Sequence, residues 1–213
     1  MPTPLRAYPV PLRKRIFDLA LTLPSLVIFS PVMAVTALAI WLVEGRPIFF
    51  RQPRPGLGGK IFTVIKFRTM RNETFTDGRS LPDSARLSRL GRLLRATSLD
   101  ELPELWNILR GEMSLVGPRP LLVAYLERYS PQQARRHEVL PGLTGWAQVN
   151  GRNSVSWDEK FRLDVWYVDH WSLLLDIKIL WLTVWKVLRR EGINQTGSDT
   201  AEEFMGPGFD SQG

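Results

Sequence analysis

Residues 16–43, IFDLALTLPSLVIFSPVMAVTALAIWLV, form the one long apolar stretch of this 213-residue chain, and Asp18 is its single charged side chain. A helix of this length, rising ~1.5 Å per residue, can cross the ~30 Å hydrocarbon core of a bilayer. The stretch is too long for a secretory signal peptide and lacks a small-residue cleavage site. It therefore predicts a helix seated in a membrane.

Two features bear on the path of this helix. Pro31 lacks a backbone N–H and its ring crowds the preceding turn, so a break is expected there, and the Ser30 hydroxyl can bond a carbonyl that the break frees. A transmembrane anchor usually has its Lys and Arg excess on one side. Two paths are therefore possible, a transmembrane anchor and a re-entrant hairpin with both termini in the cytoplasm. Basic residues flank the stretch at both ends, which favours the hairpin. They are Arg13, Lys14 and Arg15 before it and Arg46, Arg51 and Arg54 after it.

The composition limits the chemistry. The chain has no cysteine and two histidines, which argues against disulfides, thiolate nucleophiles and multi-histidine metal sites, so carboxylates and oxygen-binding metal ions are the expected agents. The net charge of +7 suits an ordinary basic surface, nucleic acid, anionic lipid or a polyphosphate substrate. Trp171, Trp181 and Trp185 lie among Leu and Lys, a mixture typical of a lipid interface rather than of base stacking.

After residue 45 the pattern changes to short elements. Residues 47–52 and 61–67 are β-branched and aromatic, and the Pro- and Gly-rich residues between them predict a β-hairpin with a long loop. Residues 71–84 are polar and rich in helix breakers, as in loops that close over a substrate. Helices are expected at about 85–95, 100–110 and 121–137, with loops at 117–120 and 141–146.

Residues 173–190 predict an amphipathic helix with apolar positions at Leu174, Ile177, Trp181, Val184, Trp185 and Leu188. Such a helix could pack on a soluble core, but Trp mixed with Lys and Arg favours a helix lying in the plane of a membrane surface. The expected fold is α+β and mainly helical, with a re-entrant membrane helix-break-helix, in-plane amphipathic helices and a small β-hairpin. Its expected parts are the N-terminal segment and membrane helix (1–45), a domain at the cytoplasmic face (46–190) and a flexible tail (191–213).

The stretch Ser98-Leu99-Asp100-Glu101-Leu102-Pro103 places two adjacent carboxylates at a predicted helix start. Ser98 and Glu101 have the spacing of a capping box, and Pro103 suits a first helical turn, so a purely structural role is one interpretation. Helix N-termini also receive phosphate, and an aspartate can attack phosphorus to form an acyl phosphate. Two neighbouring anions would need a hard divalent cation such as Mg²⁺ to approach a pyrophosphate. Both interpretations are open on these residues alone.

Basic residues accompany the acidic pair along the chain. Arg119 lies between Pro118 and Pro120, which restrict the backbone and hold the guanidinium in place for bidentate contact with phosphate oxygens. Any single Arg can be an ordinary surface charge. As a set, the basic residues predict a phosphate site around the acidic pair: Lys66, Arg68, Arg92, Arg95 and Arg119.

Four segments carry a family resemblance: 66–70 (KFRTM), 98–103 (SLDELP), 111–120 (GEMSLVGPRP) and 141–152 (PGLTGWAQVNGR). Together they resemble the bacterial sugar transferases, in particular the small monotopic phosphoglycosyl transferases of the PglC type. The resemblance extends over about residues 12–195 and includes the Ser30-Pro31 pair, which in that family makes a re-entrant membrane helix.

The resemblance implies a role for each matching residue. Asp100 would be the nucleophile that attacks the β-phosphate of a UDP-sugar, releasing UMP, and Glu101 would be the Mg²⁺ ligand beside it. The basic positions around the phosphates are matched by Lys66, Arg68, Arg95, Arg119 and Arg152. One further acidic position of the site is matched by Asp164. Undecaprenyl phosphate would then take the phosphosugar in a ping-pong reaction, the first membrane step of glycoconjugate assembly.

The implied enzyme works at the cytoplasmic face of the bacterial inner membrane, against anionic phospholipid and without nucleic acid. A non-catalytic basic module on the membrane surface is the alternative, but it leaves Asp100, Glu101 and Arg119 without a role. A transferase with several transmembrane helices needs further apolar segments, and after residue 43 no stretch approaches ~18 uncharged residues. The motifs are compatible with UDP-N,N′-diacetylbacillosamine, UDP-GalNAc and UDP-GlcNAc as donors.

Overall fold

A computed structural model describes residues 5–71, 86–151, 156–189 and 203–206 of the chain. The expected loop at 71–84, apart from its first residue, lies outside these ranges, and so do Arg152 and most of the expected tail. Among the described residues, one helix is long and apolar enough to cross a membrane: α1 (Leu12–Glu44).

Helix α1 passes through Pro24 and Pro31 as one element, so the break expected at Ser30-Pro31 does not divide it in two. The N–H that Pro31 lacks would have bonded the Val27 carbonyl, four residues earlier. The Ser30 hydroxyl donates to that carbonyl instead, at 2.8 Å. The side chain thereby satisfies the carbonyl that the proline leaves unpaired, and the helix continues.

The predicted hairpin is confirmed. Strands β1 (Phe49–Pro55) and β2 (Ile61–Phe67) pair antiparallel, with Phe49 opposite Phe67 at one end and Pro55 opposite Ile61 at the other. Their connection contains a 3₁₀ turn (Leu57–Gly59) in which Gly58 and Gly59 have φ of 60° and 75°. This left-handed backbone is open to glycine at little cost, which is why two glycines stand there.

Short helices follow the hairpin. The first, α2 (Arg89–Ala96), starts at Ser88, whose hydroxyl accepts from the Gly91 N–H at 2.8 Å. Gly91 lies so close to β2's continuation that an added Cβ would be 1.9 Å from the Thr69 carbonyl oxygen. The later helices are α3 (Glu104–Arg110), α4 (Pro131–Ala134), α5 (Trp146–Asn150), α6 (Trp157–His170) and α7 (Leu173–Arg189).

The continuous helix expected over 121–137 is wrong. The segment forms a 3₁₀ turn (Val123–Tyr125), helix α4 and a second 3₁₀ turn (Arg135–Glu138). Ser130 is extended (φ −64°, ψ 159°) because the residue before a proline is disfavoured in helical geometry, and its hydroxyl caps the new helix that Pro131 begins.

A second, parallel sheet was not predicted. Strand β3 (Ser114–Val116) pairs with β4 (Gly142–Thr144), so the two expected loops at 117–120 and 141–146 lie side by side. An added Cβ on Gly142 would lie 2.1 Å from the Gly117 nitrogen, so the close approach of the two segments depends on glycine. Three-residue strands are too short for sequence periodicity to reveal.

A buried polar network joins α1, α6 and α7 to this core. Lys14 of α1 contacts Asp176 of α7 at 2.7 Å, and Asp176 also accepts from the Tyr167 hydroxyl at 2.7 Å. Asp18, the single charge of the apolar stretch, accepts from the Ser114 hydroxyl at 3.0 Å. Around the network lie the buried apolar residues of the main core, Phe62, Val64, Leu105, Ile108, Met113, Leu115, Val116, Val149 and Ile179. The expected class, mainly helical α+β with small sheets, is confirmed.

Candidate active site

Asp100 and Glu101 lie in a 3₁₀ turn (Leu99–Glu101) between α2 and α3. Ser98, just before the turn, has a left-handed backbone (φ 55°) and its side chain makes no capping hydrogen bond there. The capping-box interpretation is therefore wrong. Ser98 follows the C-cap of α2, Thr97, where a left-handed residue commonly ends a helix.

Glu101 is the centre of an ion cluster. Its Oε1 atom accepts from Lys66 Nζ of β2 at 2.7 Å and from the Arg119 guanidinium, which the turn after β3 supplies. Burial alone would raise the pKa of Glu101, but Arg119 and Lys66 outweigh it and hold that pKa well below its usual range. Glu101 is thus an anion that two cations fix in place.

Asp100 has the opposite tendency. Its side chain is buried, at 9% exposure, and burial together with the charge of Glu101 raises its pKa to about 6, against the opposing influence of Lys66, Arg119 and Arg95. A carboxylate that is poorly solvated, yet surrounded by cations, is a candidate nucleophile or proton acceptor.

Two further charged residues at the site were not singled out as site residues from the sequence. Glu104, 2% exposed, contacts the same Lys66 Nζ at 2.9 Å, and burial raises its pKa. Burial lowers the pKa of Arg54 of β1, and the nearby charge of Arg119 lowers it further. The spacing of Glu104, three residues after Glu101, was a usable signal, because such residues lie on one face of a helical turn. No sequence pattern pointed to Arg54 as a site residue, because its proximity to Arg119 is set by the fold.

Arg95 and Arg68 have separate positions. Arg95 Nε donates to the Thr69 hydroxyl at 3.1 Å, and its charge is close enough to lower the pKa of Asp100. Arg68 is buried at the other end of the site region and donates to the Glu44 and Gly45 carbonyls at 2.6 and 3.0 Å. It binds the C-terminus of α1, where orphan carbonyls need donors, and it is not brought to the carboxylates.

Asp164 reaches the site indirectly. It accepts two bonds from Arg136, at 3.0 and 2.7 Å, and Arg136 also donates to the backbone carbonyl of Arg119 at 2.6 Å. Asp164 is buried, and burial raises its pKa. The structure therefore places Asp164 behind Arg119 rather than beside Asp100. Arg152 lies outside the described residues.

The arrangement combines two carboxylates with cations whose charge suits an anionic substrate. One poorly solvated carboxylate, Asp100, lies beside an anion, Glu101, that already holds Lys66 and Arg119 in position. The Arg119 side chain is 41% exposed, so it is accessible from solvent at the edge of the ion cluster.

Comparison with known proteins supplies the family. The family model for bacterial sugar transferases matches residues 10–190. The sugar transferase EpsL of Bacillus subtilis is 57% identical over 195 residues, covering 92% of this chain and 96% of the relative.

Two relatives are named for their substrates. A UDP-glucose:undecaprenyl-phosphate glucose-1-phosphate transferase of Caulobacter vibrioides is 44% identical over 196 residues, covering 85% of this chain and 72% of the relative. The protein of the same name from Escherichia coli is 41% identical over 186 residues, and the match covers 82% of this chain but 40% of that relative. The chain belongs to the bacterial sugar transferase family, as the sequence motifs predicted.

Proposed function

We propose that the chain transfers a sugar 1-phosphate from a UDP-sugar to undecaprenyl phosphate, releasing UMP and forming undecaprenyl-diphosphate-sugar. The observation that carries the proposal is the buried Asp100 carboxylate beside the cluster of Glu101, Lys66 and Arg119. Relatives from Caulobacter and Escherichia are named for this kind of transfer. A nucleophile for phosphorus and cations for the phosphate oxygens are what such a reaction requires.

In the proposed reaction Asp100 is the nucleophile. One of its carboxylate oxygens bonds to the β-phosphorus of the UDP-sugar, and the bond from that phosphorus to the bridging oxygen breaks, so UMP leaves with the electron pair. An oxygen of undecaprenyl phosphate then attacks the same phosphorus and releases the Asp100 carboxylate. Two successive displacements at one group predict ping-pong kinetics. The burial of Asp100 limits access of water to the acyl phosphate.

Lys66, Arg95 and Arg119 are proposed to bind the phosphate oxygens. The charge of each lowers the pKa of Asp100, which supports a role for the three cations beside that carboxylate. Their charges would neutralise the diphosphate as it approaches an anionic nucleophile, and a preorganised guanidinium fits two phosphate oxygens at once.

Mg²⁺ is the proposed cofactor, with Glu101 as its protein ligand. Among the described residues no three His, Cys, Asp or Glu side chains converge as a metal site, but Mg²⁺ commonly takes one or two carboxylates and fills its shell with water and substrate phosphates. Glu101 would hold the ion, and Lys66 and Arg119, which both contact its Oε1 atom, would keep the carboxylate in place. When bound, the ion would supply charge neutralisation at the diphosphate.

The contacts of α1 support a re-entrant, monotopic seat at the cytoplasmic face of the inner membrane. Near its N-terminus, Asp18 bonds Ser114 of β3, and at its C-terminus Arg68 bonds the Glu44 carbonyl. Ile40, fully buried, packs with the same domain. Between these contacts Val27 is 74% exposed. Both ends of α1 therefore rest on one folded body, which supports a helix that bends at its internal prolines, Pro24 and Pro31, within the membrane and returns to the face it left.

Helix α7 supports an in-plane anchor on anionic phospholipid. Five of the apolar positions predicted from the sequence are exposed, among them Leu174 at 79% and Trp181 at 62%. The rings of Trp181 and Trp185 stack at 5.9 Å, and the Arg189 guanidinium lies 4.1 Å from the Trp185 ring centroid. An exposed apolar face edged by aromatic and basic residues is typical of helices that lie at the headgroup level.

The experiment that tests the function measures released UMP. Detergent-solubilised protein is incubated with Mg²⁺, undecaprenyl phosphate and, in turn, UDP-glucose, UDP-galactose, UDP-GlcNAc, UDP-GalNAc and UDP-N,N′-diacetylbacillosamine. We expect UMP with one or two donors, loss of at least about a thousandfold in Asp100→Asn because the nucleophile is removed, and unchanged release in Glu127→Gln, which alters an exposed carboxylate.

The outcomes separate the alternatives. Omitting undecaprenyl phosphate should leave a phosphosugar adduct, detected as a mass increase on the peptide that contains Asp100. Release of UDP instead of UMP would indicate an ordinary glycosyltransferase and contradict the proposal. Neither product, with membrane association intact, would favour a non-catalytic membrane-surface module.

A further inference from the structure

Residues 203–206, which lie beyond the family match, pack against the domain. Phe204 is 2% exposed, whereas the next residue, Met205, is 57% exposed. Hydrogen bonds hold the segment as well. The Phe204 N–H donates to the Tyr125 hydroxyl at 3.1 Å, and Arg128 donates to the Phe204 carbonyl at 2.6 Å and to the Glu203 carboxylate at 2.8 Å. This docking is specific to one side chain and its backbone.

Phe204 enters a box of four aromatic rings. Its ring centroid lies 4.9 Å from Phe161, 5.5 Å from Tyr125, and 5.8 Å from both Tyr129 and Trp157. Edge-to-face and stacked contacts at these separations are favourable. Two of the rings, Tyr129 and Phe161, also pack on each other at 5.3 Å, so the position of each depends on the phenyl group that fills the box.

The same two rings hold Arg136. Its guanidinium lies 5.8 Å from the Tyr129 ring centroid and 5.6 Å from that of Phe161, and it donates to the Tyr129 hydroxyl at 3.2 Å. Arg136 is 2% exposed and is the group that bonds the Arg119 carbonyl. A chain of contacts therefore leads from Phe204 through the two rings and Arg136 to the backbone of Arg119.

We propose that Phe204 is a positioning residue for Arg119, acting through the aromatic box and Arg136. Pro118 and Pro120 restrict the backbone on either side of Arg119, so the anchored carbonyl decides where the guanidinium points. With the box emptied, Tyr129 and Phe161 can move, Arg136 loses its packing, and Arg119 is no longer held toward Glu101. The inference rests on the proposed function, because donor binding is one of its readouts.

The test compares three full-length variants with wild type. Phe204→Ala empties the box, Phe204→Leu refills most of it, and Met205→Ala is a matched control one residue away on the exposed side. The expected effect of Phe204→Ala is a KM for the UDP-sugar raised about tenfold, as for a misplaced phosphate-binding group. Phe204→Leu should restore most of the affinity, and Met205→Ala should stay within about twofold of wild type.

Comparing the changes in KM and kcat distinguishes a positioning role of Phe204 from a loss of folded protein. Fewer folded molecules lower the apparent kcat but leave KM unchanged. A wild-type KM in Phe204→Ala, or equal changes in Phe204→Ala and Met205→Ala, would therefore overturn the inference.

A second readout needs no activity. Hydrogen exchange in peptides that contain Arg119 and Arg136 should accelerate in Phe204→Ala and not in Met205→Ala, and unchanged exchange in both would overturn the inference. If wild type releases no UMP, the proposed function fails, while hydrogen exchange still decides whether Phe204 positions Arg119.

Discussion

Asp100 and Glu101 are neighbours in the chain, yet their pKa values shift in opposite directions. Burial and the adjacent Glu101 raise the pKa of Asp100, whereas in Glu101 the effect of burial is outweighed by Arg119 and Lys66. Both of those partners come from other segments of the fold. Two acids with separated pKa values suit two different tasks, here the proposed nucleophile, Asp100, and an anion fixed by two cations, Glu101.

Glu101 should govern the metal requirement. In Glu101→Gln we expect the Mg²⁺ concentration for half-maximal UMP release to rise about tenfold or more, because the variant loses the carboxylate charge that would hold the ion. Glu127→Gln is the control, since it alters an exposed carboxylate outside the ion cluster, and its Mg²⁺ dependence should stay within about twofold. Full UMP release in excess EDTA would rule out the metal role of Glu101.

His137 should make the protein less stable in acid. Burial, and next the charge of Arg136, lower its pKa to about 3 from an ordinary 6.5. The unfolded chain therefore binds this proton more readily than the folded protein, and the free energy of unfolding falls as the pH drops below about 6.5. Between pH 7 and 5 this costs about 2 kcal/mol.

The check is the pH dependence of unfolding in detergent. His137→Gln removes the titrating group, so its free energy of unfolding should fall less steeply between pH 7 and 5 than that of wild type. Parallel curves for the two proteins would show that His137 does not couple folding to pH.

Among the elements, the hairpin and α3 are joined by one side chain. Asn107, fully buried in α3, accepts from the Ile65 N–H at 3.1 Å and donates to the Thr63 carbonyl at 2.7 Å. Its amide pairs with the edge of β2 as a neighbouring strand would. The strand that carries Lys66 and the helix that carries Glu104 are thereby held in register.

Removing the Asn107 amide should lower the stability of the folded protein. Asn107→Ala removes a fully buried side chain together with both of its hydrogen bonds to β2, so we expect a loss of about 2–4 kcal/mol in the free energy of unfolding. Asn150→Ala, at an exposed position at the end of α5, should cost less than about 1 kcal/mol. Denaturant unfolding in detergent measures both, and equal losses would contradict the bridging role.

For the whole molecule, the main question is on which side of the membrane the two ends of α1 lie. The chain has no cysteine, so single cysteines report topology without background. Arg6→Cys, before α1, and Arg110→Cys, in the domain, are both at exposed positions. If both ends of α1 return to one face, a membrane-impermeant maleimide should label both in inside-out vesicles and neither in intact spheroplasts.

A transmembrane α1 makes the opposite prediction for one position. Labelling of Arg6→Cys in spheroplasts, with Arg110→Cys protected, would place the two ends on opposite sides and overturn the re-entrant seat. Residues 14–22 would then have to leave their contacts with β3 and α7, which is why the packing favours the return.

Much of the site could be predicted from motifs, and part of it could not. Lys66, Asp100, Glu101 and Arg119 were identified as candidates and the structure brings them together. Arg68, two residues after Lys66, instead binds the end of α1, because β2 ends at Phe67 and strand alternation no longer sets the direction of the Arg68 side chain. A motif names residues in the same region but does not say which side chain faces the substrate.

The fold, like the site, could be predicted only in part from the sequence. The apolar helix and the β1–β2 hairpin follow from patterns within one segment, namely an unbroken apolar run and two β-prone runs around a Pro- and Gly-rich turn. The parallel β3–β4 pair and the docking of Phe204 do not, since they join segments far apart in the chain. Their stability comes from contacts that no local pattern encodes.

The amino-acid sequence by itself determined the membrane-seated helix, the hairpin, the family and the set of charged candidates, because each depends on local periodicity or on a contiguous motif. Tertiary structure alone decided that Glu101 is the clamped anion and Asp100 the desolvated one, that both ends of α1 rest on one body, and that Phe204 packs behind Arg119. The physical reason is that burial and Coulomb interaction depend on distance in space, and the chain sets those distances only when it folds.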